Sequence, residues 1–160
     1  MSTLEYFAVE PILVDNINNN VDGLIAVDTP FSIESMLDNR NNAPSVSIIW
    51  YGERFSEQVG RSGQTKSIQY DQWLIVLKVN DTESQSSDTQ SIRALADPYI
   101  MQIHDCMMNF NPQLNGYGRF DKTACPVTNG SDSGFAYFPF MFEILRKIYL
   151  RGISHGCKKK

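Results

Sequence analysis

The chain has 160 residues, of which 42% are hydrophobic and 20% are charged, and its formal net charge is −4. This length suits a single domain with a substantial core, and no apolar run approaches the roughly 20 residues that span a bilayer. The composition therefore predicts a soluble globular protein and excludes a membrane-embedded one.

Charge is distributed unevenly along the chain. Residues 146–160 hold six basic groups and no acidic one, which leaves eight basic and eighteen acidic groups in residues 1–145, a net of −10. Such a basic segment either reaches for an acidic surface or is simply a solvated terminus. An odd set of three cysteines and no recognisable signal peptide indicate reduced thiols and assembly in the cytoplasm.

The first third of the chain predicts a helix and a short strand. Apolar residues recur at helical spacing between Thr3 and Asn19, and Pro11 either kinks this helix or lies in its first turn. Leu24–Val27 is a short apolar run bounded by turn residues, which is typical of a strand. The stretch from Phe31 to Asn39 fits either a helical turn or a connector.

The middle of the chain predicts a long hairpin. Residues 46–51 alternate as a strand that can continue to Phe55, and the glycine-containing stretch 58–66 suits its turn. The next strand, Ser67–Asn80, is the most regular of the chain. It places four apolar residues on one face at period two and three polar ones in a wetter stretch on or near the other face: Trp73, Ile75, Leu77 and Val79 against Asp71, Lys78 and Asn80.

The last third predicts a helix and two strands. Apolar residues follow at three- and four-residue steps from about Ser91 to Met107, and Asp97-Pro98 indicates a kink or a break. A short strand over 116–120 and a loop over 125–134 come next. The closing strand, 134–149, is rich in phenylalanine and carries its apolar side chains on one face.

This order predicts an α+β domain with a mostly antiparallel sheet of four to five strands and two main helices packed on one face. We expect residues 1–150 to form the single domain and residues 151–160 to form a basic, flexible tail.

No motif predicts catalysis, a metal site or a cofactor. Two His-x-Cys pairs, at 104–106 and 155–157, have the wrong spacing for a structural zinc site. Gly130–Gly134 (GSDSG) lacks the strand and helix of an esterase elbow and the lysine of a phosphate loop, and is better interpreted as a tight loop. A small hydrolase with Ser133 or Cys125 as nucleophile is the enzymatic alternative.

Aromatic and basic residues near the strand ends are better interpreted as protein contacts than as a nucleic-acid site. The body of the chain is acidic, and aromatic residues and arginine are enriched at protein interfaces. The alternative is that these are ordinary strand ends with one wet side. The candidates are Tyr51, Arg54, Phe55, Arg61, Lys66, Tyr117, Arg119 and Phe120.

The overall pattern resembles the tail-terminator (tail-completion) proteins of long-tailed bacteriophages, in particular those of Mu-like phages. The features that carry the resemblance are an N-terminal helix, the strand Ala43–Gly52 (APSVSIIWYG), the strand Gln72–Val79 (QWLIVLKV), a helix from about Ser91, and a closing strand through Phe138–Phe140.

The resemblance implies a non-enzymatic structural protein of the virion. Members of that family form a ring, typically a hexamer, on the end of the tail tube, stop its polymerisation and present the surface that joins the head. The implied partners are other copies of the chain, the tail tube and possibly the sheath, and neck or connector proteins, with DNA passing through the ring without specific binding. A small binding module, or another neck protein, is the alternative function.

Overall fold

The computed structural model describes residues 5–39, 43–59, 65–81 and 90–147. The helices are α1 (Val9–Asn20), α2 (Ile33–Asp38) and α3 (Gln90–Met107), and the strands are β1 (Ala26–Asp28), β2 (Ser45–Val59), β3 (Thr65–Asn80), β4 (Tyr117–Thr123), β5 (Gly130–Asp132) and β6 (Phe135–Arg146). The predicted tail, 151–160, and the end of the predicted domain, 148–150, lie outside these residues. Within the described ranges no helix is both long and apolar enough to cross a bilayer.

The strands form one sheet in the order β1-β2-β3-β6-β4, and β5 pairs with the first residues of β6. All pairs are antiparallel except β1 with β2. β5 covers the outer edge of β6 as far as Tyr137, and β4 covers it from Met141 onward. Pro139 falls between them, where no outer strand needs its missing N–H. The predicted α+β class is confirmed, and β5 adds a strand in a stretch predicted to be a loop.

The two long helices pack on one face of the sheet, as predicted. Their inward residues recur at helical spacing, and the facing strand residues recur at period two. The main buried members are Val9, Leu13 and Ile17 of α1, Ala96, Ile103 and Met107 of α3, and Trp73, Ile75, Leu77, Phe142 and Ile144 of the sheet.

Two predictions concerned a proline within a helix. Pro11 is the third residue of α1, so the interpretation that places it in the first turn is confirmed. Of the kink or break expected at Asp97-Pro98, the break is wrong, because α3 runs through it as one helix, and the kink stays a prediction. Ala96 and Ile103 lie on either side of Pro98 and are both buried against the same core. That packing offsets the roughly 3 kcal/mol that an interior proline costs.

The other face of the sheet is covered by α2, which settles the ambiguous stretch 31–39. Its N-cap is Ser32, whose Oγ accepts a hydrogen bond from the Ser35 amide at 3.1 Å. The helix buries Met36 against Leu74 and Val76 of β3. The centre of β3 is therefore apolar on both faces.

Two charged residues expected in a wetter stretch are buried instead. Asp71 has no exposed surface and Lys78 is 5% exposed. Lys78 Nζ lies 3.4 Å from the Asn39 carbonyl oxygen and 4.6 Å from the ring centre of Phe135. Burial lowers the pKa of Lys78, and the nearby Asp28 opposes that shift. The expectation was wrong because both residues find partners on distant elements, which periodicity does not show.

The structure predicts a large stability cost for Asp71→Ala. The substitution leaves the buried guanidinium of Arg146 without its carboxylate, and removing one partner of a buried pair costs roughly 3–5 kcal/mol. Arg54→Ala is the control, because Arg54 forms an ion pair at 2.6 Å while its side chain stays 42% exposed, and we expect a loss of about 1 kcal/mol or less. Urea unfolding measures both, and equal losses would contradict this account.

Candidate functional site

The β2–β3 hairpin extends beyond the rest of the sheet. β6 pairs with β3 only from Gln69 onward, so the ends of the hairpin, 56–59 and 65–68, pair only with each other. β1 covers only the first three residues of β2. Among the described strands, none pairs with the outer edge of β2 beyond Ser47. An unpaired edge of this length offers backbone donors and acceptors to another chain.

The base of this hairpin is held by a buried ion pair. Arg146, the last residue of β6, donates to Asp71 Oδ2 from Nε at 2.8 Å and also from Nη2. The same Nη2 donates to the backbone oxygen of Tyr6 at 2.6 Å. The Tyr6 ring lies on the guanidinium, 3.9 Å from Cζ to the ring centre. One buried cation thus connects the N-terminal segment to β3 and to the end of β6.

Two further contacts fix Tyr6. The Tyr117 hydroxyl donates to the Tyr6 carbonyl oxygen at 3.3 Å, and the Gln69 side chain donates to the Tyr6 hydroxyl at 3.2 Å. Burial raises the pKa of Tyr117, with Arg146 opposing, which favours the protonated form that donates. The segment before α1 is therefore part of the site.

An aromatic cluster results at this position. The Tyr6 and Phe7 rings both meet Trp50 edge to face, at centroid distances of 6.3 and 5.1 Å. Phe55 lies opposite Gln69 in the ladder and is 59% exposed. Tyr51 is the extra residue of a bulge between Trp50 and Gly52 and is 44% exposed. We call Tyr6, Phe7, Trp50, Tyr51 and Phe55 the hairpin-base surface.

Four of these five aromatic side chains are exposed, and exposed aromatic residues are enriched at interaction sites. A second anchored charge is Arg54, on the opposite face of β2. Its guanidinium binds both oxygens of Glu143, at 3.0 and 2.6 Å, and lies 4.3 Å from the Tyr70 ring centre. Arg54 thus fastens the hairpin to β6, and the contact raises the pKa of Arg54.

The comparison with protein families now decides the identity. The family model described as phage tail terminator protein matches residues 2–149. The chain belongs to this family. The predicted family is therefore confirmed, while the Mu-like subtype stays a prediction. No curated protein matches the chain.

Membership gives the chain a structural role in the phage tail and a place in the virion. The terminator family is structural, so the residues selected from the sequence are candidates for protein contacts.

The structure divides the predicted contact residues of this terminator family member into four groups. Arg54 is partly exposed and paired with Glu143. Tyr51 and Phe55 are exposed on the hairpin-base surface, and Arg119 is exposed while donating to the Asn109 carbonyl oxygen at 3.2 Å. Tyr117 and Phe120 are core residues, 9% and 0% exposed. The Lys66 side chain and Arg61 lie outside the part of the chain that can be described.

Sequence reasoning did not nominate Tyr6, Phe7, Trp50 or Arg146. An aromatic pair directly before a helix was a signal for the first two. The role of Arg146 depends on the register of β6 against β3, which puts it opposite Gln69, two residues along the same face from Asp71.

The GSDSG stretch forms strand β5 and the turn that follows it. Ser133 and Gly134 both have positive φ, 54° and 86°, and they connect β5 to β6 as a type I′ turn requires. Ser133 Oγ contacts the neighbouring Asp132 carboxylate at 3.3 Å. His104 Nδ1 lies 2.9 Å from the Ile100 carbonyl oxygen, and its ring packs on Phe140. These contacts give His104 a packing role in α3.

Within the described ranges, no group of three histidine, cysteine or acidic residues could hold a metal ion. His155 and Cys157 lie outside these ranges. Burial raises the pKa of the Cys106 thiol to about 11, which disfavours the thiolate that zinc binds.

This raised pKa predicts slow alkylation of Cys106. At pH 8 only about one thiol in a thousand is ionised when the pKa is near 11, against roughly a tenth or more in an unfolded chain. We expect iodoacetamide to modify Cys106 at least ~100-fold more slowly in the native chain than in urea, as followed by peptide mass spectrometry. Equal rates in the two states would show that the inner side of α3 is open.

Proposed function

We propose that the chain forms a ring, in the first instance a hexamer, that caps the tail tube, stops its polymerisation and presents the surface to which the head joins. The proposal rests on family membership, and the observation that supports it best is the hairpin that projects past the sheet with aromatic residues exposed at its base. The site of action is then the tail–neck region of the virion, after assembly in the host cytoplasm.

A cyclic ring needs two different complementary surfaces on each subunit. The sheet supplies chemically distinct ends. One end carries the hairpin-base surface and the outer edge of β2, and the opposite edge is β4, with Arg119, Asp121 and Lys122 exposed. We assign contacts with the tube or a neighbouring subunit to Tyr51, Arg54, Phe55, Arg61 and Lys66, and treat Arg119 as a second contact.

The acidic body suits a ring through which DNA passes. Residues 1–145 carry a net charge of −10, and phosphates are repelled by such a surface. The remaining partners are the sheath, in a contractile tail, and neck or connector proteins. Residues 1–150 act as the single structural domain, followed by a basic tail at 151–160.

The direct test is complementation of a phage that lacks this gene. Without the chain, we expect tails of uncontrolled length that carry no heads, and with the wild-type chain we expect tails of uniform length joined to heads. Electron microscopy of lysates measures both. Uniform, head-bearing tails in the absence of the chain would contradict the proposed function.

The hairpin-base surface predicts a specific loss of function in Phe55→Asp. The side chain is 59% exposed, so stability should change by no more than about 0.5 kcal/mol, while a charge at a contact surface disrupts docking. We expect at least a tenfold lower titre of infectious particles.

Met101→Asp is the matched control, because Met101 is 57% exposed on the outer side of α3. It should retain the wild-type titre. Equal titres for the two variants would show that the hairpin-base surface is not a contact site.

Arg54→Glu is a less specific test than Phe55→Asp, because it would also place a second carboxylate beside that of Glu143.

A further inference from the structure

The back of the sheet holds an apolar pocket. It has a volume of about 290 Å³ and lies between α2, the middle of β3 and the start of β6. Its apolar walls come from Ile33, Met36, Leu37, Leu74, Val76 and Tyr137. A cavity of roughly 150 Å³ is enough to hold a benzene ring, so this pocket has room for about two large side chains.

Acidic groups lie at and near the rim of the pocket. Asp132 is the charged residue among those that line it, and α2, which forms one wall, also exposes Glu34 and Asp38, which do not line the pocket themselves. Arg93 is the basic residue in the neighbouring smaller groove, beyond Gly130 and Ser131. An apolar pocket with this rim favours an occupant that joins large apolar side chains to basic residues.

The chain contains such a segment. Residues 148–160 read IYLRGISHGCKKK, with three consecutive large apolar residues followed by four basic and no acidic ones. They follow directly on β6, outside the described residues. Their chemistry matches both the walls and the rim.

Distance decides whether this segment can fill the pocket of its own subunit. The lining residue nearest to the end of β6 is Leu74, which pairs with Met141, and the six residues from Met141 to Lys147 span about 20 Å. From Lys147, Leu150 reaches at most about 11 Å back. The apolar residues 148–150 therefore cannot reach their own pocket.

We propose that residues 148–160 of one subunit dock into the back pocket of a neighbouring copy, with Ile148, Tyr149 and Leu150 in the cavity and the lysines on the acidic rim. Donor and acceptor lie at opposite ends of the same strand, so the contact is head to tail, which is the type that closes rings. The inference rests on the proposed ring for its biological setting, but the contact itself can be tested without phage.

The first experiment measures binding of a fluorescent peptide of residues 147–160 to the full-length chain by anisotropy, with the protein titrated through the expected Kd so that the peptide competes with the chain's own segment. We expect saturable binding with a Kd of roughly 1–100 μM, because a segment that orders on binding gives up part of its contact energy. A peptide with Leu150→Asp should bind at least tenfold more weakly, and one with Ser154→Asp, which carries the same added charge, should bind like the original.

Two protein variants test the pocket. Gly130→Trp fills it, since a Cβ at Gly130 meets no atom within 4 Å, and should weaken binding at least tenfold. Asp132→Lys leaves the cavity intact and should weaken binding about fivefold, with recovery when the peptide lysines are changed to glutamate. Unchanged affinity in both variants would overturn the proposal.

The second experiment distinguishes neighbouring copies from the subunit's own segment. Chains with Cys125→Ser and Cys157→Ser receive either Thr128→Cys or Leu150→Cys, and the two are mixed and oxidised. We expect a disulfide-linked dimer in the mixture. When both new cysteines are on one chain, linked oligomers support the proposal, and an internally linked monomer contradicts it.

These outcomes are independent of tail capping. If tail length is uniform with the chain and uncontrolled without it, and the peptide does not bind, the proposed function stands and the docking inference fails. If the peptide binds but the gene proves dispensable for tail length, the docking contact stands and the capping function fails.

Discussion

The buried ion pair between Arg146 and Asp71 determines how the end of the molecule that carries the hairpin-base surface is assembled. Its guanidinium lies between the rings of Tyr6 and Tyr117, at 3.9 and 5.1 Å from their centres, and also binds the Tyr6 carbonyl oxygen. Such a pair adds little net stability compared with apolar packing, but breaking one side of it is costly. We infer that its contribution is specificity: it holds the N-terminal segment in the position that places Phe7 against Trp50.

Much of the fold could be predicted because its signals are local. Alternation at period two identified β3 and β6 and the face that α1 and α3 cover, since each strand places every second side chain on the core. The short elements were missed or ambiguous for the opposite reason. α2 and β5 have six and three residues, too few for a clear period; α2 is stabilised by packing on the back of the sheet, and β5 by pairing with β6. The length of β2 beyond Phe55 depends on pairing with β3, which is again not local.

The candidate site was less accessible from sequence than the fold. The alternation of aromatic and basic residues selected Tyr51 and Phe55, which are exposed, but also Phe120, which is buried. A strand pattern does not show which side is covered by a distant element. Here Phe110 stacks on Phe120 at a centroid distance of 6.1 Å and closes that side. Buried charges were missed for the same reason. Asp71 has a charged side chain, and it lies in the core because the register of β6 against β3 brings Arg146 beside it.

The account depends most directly on the burial of one guanidinium, and nitrogen-15 NMR of the native chain can observe it. We expect the Nε–Hε signal of Arg146 to persist at neutral pH, to exchange slowly with water and to show nuclear Overhauser contacts with the Tyr6 ring. The half-exposed Arg54 and the exposed Arg119 provide internal references for faster exchange. An Arg146 signal that exchanges as fast as that of Arg119 and shows no contact with Tyr6 would contradict the central claim.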